Sequence, residues 1–196
     1  MKDHELALFP LDTVLFPGGM LALRIFETRY LDLIRDCGRH DRGFGVCLIL
    51  DGSEAGVPAT PAALGCEARI VDFSSTSDGL LGLSVQGARR FRVERTRVRD
   101  NGLVVADVRW LEEAPQSRPR PEHELLAMLL QRVLDRAGDP FDKVDKSCFD
   151  DAAWVAWRLA EWLPLENRER QRLLQEDDSH ARLQFLVERL PDFQSE

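Results

Sequence analysis

The chain has 196 residues, 44% of them apolar and 31% charged, and a net charge of -8. That length suits one domain or two small ones with a sizeable core. The acid excess excludes a broadly basic surface for nucleic acid or anionic membrane, and no apolar run reaches membrane-spanning length. The charged start, Met1-Lys2-Asp3-His4-Glu5, has no signal-type apolar region after it, so a cytoplasmic protein is expected. Cys37, Cys47, Cys66 and Cys148 are scattered without a CxxC pair, and they read as small core residues rather than zinc ligands or disulfides.

The most informative run is Leu8 to Tyr30, LFPLDTVLFPGGMLALRIFETRY. Pro10 and Pro17 each deny a ladder donor and end an extended piece. Gly18-Gly19 permits a turn. Met20 to Ile25 reads as a second strand, and Phe26-Glu27 opens a helix with Tyr30, Ile34 and Cys37 on its apolar side. Phe44 to Leu50 is a buried-strand candidate, and Gly52 to Pro61 is a loop. Leu64 to Phe73 alternates, with Cys66, Ala68 and Ile70 opposite Glu67, Arg69 and Val71. A turn is expected over Ser74 to Gly79.

Leu80–Val85 and Arg90–Val98 read as successive strands, and Asp100-Asn101-Gly102 signals a hairpin that returns through Leu103 to Leu111. Phe91 and Val93 share one side of the pleat while Val98 falls on the other, so a bulge is expected between them. One helix among six or seven strands points to a barrel or folded sheet. Pro115, Pro119 and Pro121 then mark a linker.

Beyond Pro121 the periodicity is helical. Glu122 to Ala137 carries Leu125, Leu126, Leu129, Leu130, Val133 and Leu134 on one stripe, stopped by Gly138-Asp139-Pro140. The helix from Asp150 to Leu163 places Ala152, Val155, Ala156, Leu159, Trp162 and Leu163 together, while Trp154 and Trp157 point elsewhere. A third helix runs from Glu166 to Glu176, and Ser179 is a candidate cap for a fourth.

Leu15-Phe16-Pro17-Gly18, Leu23-Arg24-Ile25-Phe26-Glu27 and Arg29-Tyr30 together resemble the opening of the Lon protease N-terminal, substrate-binding domain. Further similarity follows at Gly43-Phe44-Gly45-Val46, Leu64-Gly65-Cys66, Leu83-Ser84-Val85-Gln86-Gly87 and Arg90-Phe91-Arg92-Val93. Leu163-Pro164-Leu165 and Arg170 to Leu174 resemble the family's helical bundle. The resemblance implies an α+β fold: a PUA-like β pseudo-barrel with one helix over 1–113, a Pro-rich linker over 114–121 and a helical bundle over 122–196. It also implies a non-catalytic polypeptide-binding module, a stand-alone domain of the proteostasis class that takes unfolded polypeptide or a specific protein partner.

No GxxxxGK[ST] loop or serine-lysine peptidase context is present, so neither ATPase nor protease chemistry is expected. No cofactor or metal is implied. Cys37 and His40, three residues apart, lack a third orienting group, and the aspartates from Asp139 to Asp151 lack the pattern of a calcium loop. The arginines from Arg89 to Arg99 raise an RNA-binding alternative, but Glu94, Asp100 and Asp107 interleave with them. A small-ligand sensor using a barrel–bundle cleft is the other alternative. The candidate polypeptide-binding residues are Phe16, Pro17 and Met20 at the first turn, and Trp154 and Trp157 as an off-stripe aromatic pair. Neither nucleic acid nor membrane is expected as a partner, and the oligomeric state is open.

Overall fold

The computed structural model describes residues 4–75, 79–139 and 141–190. The chain divides into two units, Met1–Glu112 and Glu113–Glu196. Among the described residues the first holds seven strands and one long helix, and the second is helical. The α+β class expected from the sequence is the class observed.

In the first unit, β1 (Glu5–Leu11), β2 (Met20–Ile25), α1 (Thr28–His40) and β3 (Phe44–Asp51) follow in order. The two-residue β4 (Thr60–Pro61), β5 (Leu64–Ser75), β6 (Leu81–Val98) and β7 (Val104–Trp110) complete it. Strands run in the order β1-β7-β6-β5-β3, and β1 pairs with β3 in parallel, so the ring closes. Closure removes exposed edges from these five strands. The inner core gathers Phe9, Ile25, Tyr30, Ile34, Phe44, Leu83, Val85 and Val105. A second cluster of Leu6, Leu8, Cys47, Phe91 and Val108 lies on the other face of the same strands. That is why β1 is an almost unbroken apolar run rather than an alternating one.

The expected pair of strands Leu80–Val85 and Arg90–Val98 is one strand. β6 runs 18 residues without a break. Gly87 does not end it; it lets the chain pass close to the first turn. Gly18 N–H donates to Gly87 O at 2.7 Å and Gly87 N–H donates to Gly19 O at 2.8 Å. A Cβ on Gly87 would stand 2.0 Å from Phe16 O. The expected bulge is present, between Val93 and Arg95. The hairpin at Asp100-Asn101-Gly102 forms, with Gly102 at φ 82° and Arg99 N–H bonded to Leu103 O at 2.9 Å. Of the expected turn at Ser74 to Gly79, residues 76–78 lie outside the described set and Ser74 and Ser75 extend β5.

The second unit contains α2 (Glu124–Ala137), α3 (Ala152–Trp162), α4 (Asn167–Gln175) and α5 (Ser179–Arg189). Its buried stripes are narrower than expected. On α2, Leu126, Leu130 and Leu134 are buried while Leu125 is 64% exposed. An i, i+4, i+8 row meets neighbours on one side only, which leaves Leu125 a quarter-turn away in solvent. The cap of α5 is Asp178, whose carboxylate accepts from His180 N–H at 2.8 Å. Ser179, expected in that role, is buried inside the first turn. The Pro-rich segment is tied to the helices: Ala152 N–H donates to Ser117 O at 2.8 Å, and Ser117 Oγ meets His180 Nε2 at 3.3 Å. No helix among the described residues is long and apolar enough to cross a membrane.

The Gly87 contact makes a direct prediction. Gly87→Ala should lower stability in denaturant unfolding by about 3 kcal/mol, because backbone rather than a movable side chain blocks the methyl. Gly38 lies in α1 and a Cβ there meets nothing within 4 Å, so Gly38→Ala should raise stability by about 0.5 kcal/mol.

Candidate functional site

β2 pairs with β6 from Met20↔Gln86 to Ile25↔Leu81. β6 is its only strand partner among the described residues. On its other side a cavity of about 430 Å³ opens, walled by Phe9 and Leu11 of β1, by Leu21 to Arg24 of β2, and by Phe26 and Tyr30. The floor is rigid. The Tyr30 ring stacks on Phe9 at 3.9 Å, with 15° between the planes, and Phe9 in turn lies 5.8 Å from Phe44. Phe26, at the junction of β2 and α1, is 58% exposed at the cavity mouth. A second hollow on the far side of Phe26 and Glu27 is bordered by Gly56, Pro58 and Gly102.

The rim is polar. Glu27 takes the Arg29 guanidinium at 3.1 Å and accepts from Gly56 N–H at 3.4 Å. Arg29 also reaches Gly102 O at 3.2 Å and lies 4.7 Å over the Tyr30 ring. Glu54 accepts from Asp12 N–H at 2.7 Å. Burial raises the Tyr30 hydroxyl above its ordinary pKa; Arg29 pulls it back, and Glu27 and Glu54 push it further up. The hydroxyl therefore stays protonated at neutral pH and is available to donate. Among the described residues lining this cavity no nucleophile is set beside an acid–base partner. The arrangement can bury an apolar group and hydrogen-bond around it.

The family model described as the ATP-dependent protease La (LON) substrate-binding domain matches residues 5–192. The chain belongs to the Lon substrate-binding domain family. Lon protease 2 of Myxococcus xanthus is 26% identical over 193 residues, covering 94% of this chain and 23% of that protein. Lon protease of Cytophaga hutchinsonii is 24% identical over 186 residues, covering 89% and 22%. The chain thus spans under a quarter of the length of these curated relatives. The crystal structure of a Lon N-terminal domain protein from Xanthomonas campestris matches with a TM-score of 0.77 and 54% identity, over 93% of this chain and 96% of that one. The N-terminal domain of a Mycobacterium avium complex Lon protease has a TM-score of 0.67 at 17% identity, over 94% and 96%, a likeness of fold alone.

In this Lon-type domain the residues expected to bind are distributed differently from the sequence reading. Phe16 is fully buried, and Pro17 is half-buried beside it. The Phe16 carbonyl closes the turn, accepting from Gly19 N–H at 2.9 Å. Met20 is 55% exposed at the head of β2. Trp157 is buried at 4% exposure, its ring capped by the Arg182 guanidinium at 3.6 Å. The bundle encloses α3 on more than one side, so a side chain off the main stripe still lands in the interior. Trp157 therefore offers no ring to a partner. Trp154 is half-buried against Phe149 at 5.2 Å.

Trp162, expected in the buried stripe, is 38% exposed and meets Phe141 edge-on at 5.0 Å. Phe26, expected at the opening of the helix, stands exposed at the cavity mouth. Its signal was readable: it follows the last strand residue and precedes the helix cap, where neither periodicity holds it inside. Leu21, Leu23 and the Phe9–Tyr30 stack were missed as site residues because they look like ordinary core positions.

The other candidates resolve into structure. Cys37 is buried and its thiol bonds Gly43 O, with its pKa pushed up to about 11 mainly by burial; Cys47 rises to about 12 for the same reason. His40 turns instead to Asp36 at 3.1 Å. Cys148, expected in the core, is half-buried in a short 3-10 turn. In the arginine-rich strand, Arg89 is held by Glu67 at 3.2 Å and lies 4.0 Å over Trp110. Arg97 pairs with Glu5 and Asp107, and Arg99 with Glu5. Among the described residues no group of three or more potential ligands could hold a metal.

Trp157→Ala should cost about 3–5 kcal/mol of stability in denaturant unfolding, and Trp162→Ala under about 1 kcal/mol. Glu161 makes a pH prediction. Burial raises its carboxyl to about 7 against the pull of Arg158 and Arg170. Its folded pKa exceeds the unfolded one, so its contribution is favourable at low pH and is lost as pH rises through about 7. The thermal midpoint measured from pH 5 to pH 8, roughly the span between and beyond those two pKa values, should fall, and Glu161→Gln should flatten that slope.

Proposed function

We propose that this chain is a non-catalytic polypeptide-binding module that captures extended, partly unfolded segments in protein quality control. The observation that carries the reading is the open apolar cavity beside β2, with Phe26 exposed at its mouth. A solvent-facing aromatic next to a preformed apolar hollow is the pattern of a recognition anchor. Membership of a substrate-binding domain family attached to proteases, in the relatives that carry it, supports polypeptide as the ligand class. Met20 extends the exposed surface at the head of β2. Trp154 belongs to the second unit, and the proposal does not depend on it.

The internal pairing of Arg89, Arg97 and Arg99 favours polypeptide over RNA, since phosphate would have to displace carboxylates already engaged. The buried, high-pKa thiols favour binding over nucleophilic chemistry.

A reduced, alkylated protein that cannot refold is the test ligand. The chain should bind it with an affinity that changes little between low and high salt. Phe26→Ala should weaken binding by about 1–2 kcal/mol while leaving the thermal midpoint unchanged, because the ring is mostly in solvent. Absence of binding, or tight salt-sensitive RNA binding in its place, would overturn the reading.

A further inference from the structure

We propose that the side of β2 facing away from β6 is a strand-addition site, where an extended polypeptide segment pairs main chain to main chain along Met20–Ile25. The proposal rests on the polypeptide-binding reading above and specifies where and how the segment sits. β2 makes its ladder with β6 alone among the described residues. In an antiparallel ladder, alternate residues direct their peptide groups to opposite sides, so half of those in β2 point away from β6.

The cavity lies on that side. Leu21 and Leu23 project inward and Ala22 and Arg24 project outward, as successive strand residues must. All four nevertheless line the same cavity. A wall shared by residues of opposite orientation is the strand edge itself. The hollow therefore presents peptide hydrogen-bonding groups beside an apolar floor.

This combination selects the occupant. A helix has no spare main-chain donors and acceptors to offer; an extended segment has a full row. Alternate side chains of an added strand would point into the cavity, so every second residue should be apolar. The rim adds a charge preference. Glu54 has no lysine or arginine partner among the described residues; its contact is the Asp12 amide. A lysine or arginine flanking the apolar residue would meet that carboxylate. β2 itself, MLALRI, carries one charge and no proline, so it lacks the usual devices that keep an edge from pairing.

The test uses the full chain and a short synthetic peptide of alternating valine and threonine with one lysine. Two further versions carry N-methyl groups on alternate residues, one version for each set. An added strand hydrogen-bonds through one set only. One N-methylated peptide should bind at least about tenfold more weakly, and the other should stay within about twofold of the parent. Amides of β2 should gain hydrogen-exchange protection when the parent peptide binds. Replacing the peptide lysine with glutamate should weaken binding severalfold, and Glu54→Gln should erase that difference.

Equal affinity of all three peptides, or equal loss in both N-methylated versions, would overturn strand addition while leaving polypeptide binding intact. Binding of the unfolded protein without binding of the parent peptide would do the same. Failure of both ligands would remove the functional reading along with the site.

Discussion

Much of the first unit's architecture depends on one strand serving three partners. β6 pairs with β5 along one edge, from Leu64↔Arg92 to Ser75↔Leu81. Its other edge is divided: β2 takes Leu81 to Gln86 and β7 takes Phe91 to Val98. The division falls where Gly87 passes against the Phe16 carbonyl, too close for any side chain. That approach delivers the Phe16-Pro17-Gly18 turn onto the sheet and launches β2 along β6. Because β7 then continues the ring to β1, β2 is left outside the closed circuit, with β6 as its one strand partner among the described residues. Ring closure and the single strand partner of β2 are thus two consequences of the same handover.

The cavity beside β2 persists without collapse because its surroundings are already satisfied. Phe9 and Tyr30 stack on each other, and Arg29 is fixed by Glu27 and by Gly102 O. The cavity floor is therefore preorganised, which reduces the ordering cost of taking up a segment. Phe26 is the exception in this setting. It sits between the strand period and the helix period, and neither brings it inside.

This division also explains what was legible in the sequence. Where a period was long and the apolar positions regular, as in α1, the element and its buried residues could be read directly, whereas β1 runs through Pro10 to Leu11 because its partner strand needs no donor there. The Asp100-Asn101-Gly102 hairpin was legible because its turn chemistry is local. The continuity of β6 was not, because Gly87 looks like a break unless the opposing Phe16 carbonyl is known. The site was illegible for a related reason. Leu21 and Leu23 have the composition of core residues, and only the sheet order reveals that a cavity rather than a strand lies beside them. In the second unit, Trp157 and Trp162 exchanged the roles that helical spacing alone assigns. The stripe rule assumes one buried side, whereas Arg182 and the neighbouring helices enclose α3 on another.

The distribution of charge follows the same logic. Arginines crowd the second half of β6, yet the described ones with carboxylate contacts meet them from neighbouring strands: Glu5 on β1, Glu67 on β5 and Asp107 on β7. These cross-strand pairs lock the register of the ring where its bulge would otherwise let it slip. Arg89, Arg97 and Arg99 therefore belong to the closure of the barrel, each held by a carboxylate from another strand. At the opposite half of β6 lies β2, with a single charge. Polar pairing closes one half of the strand, and at the other half the outer partner is an apolar strand that pairs with no second strand among the described residues.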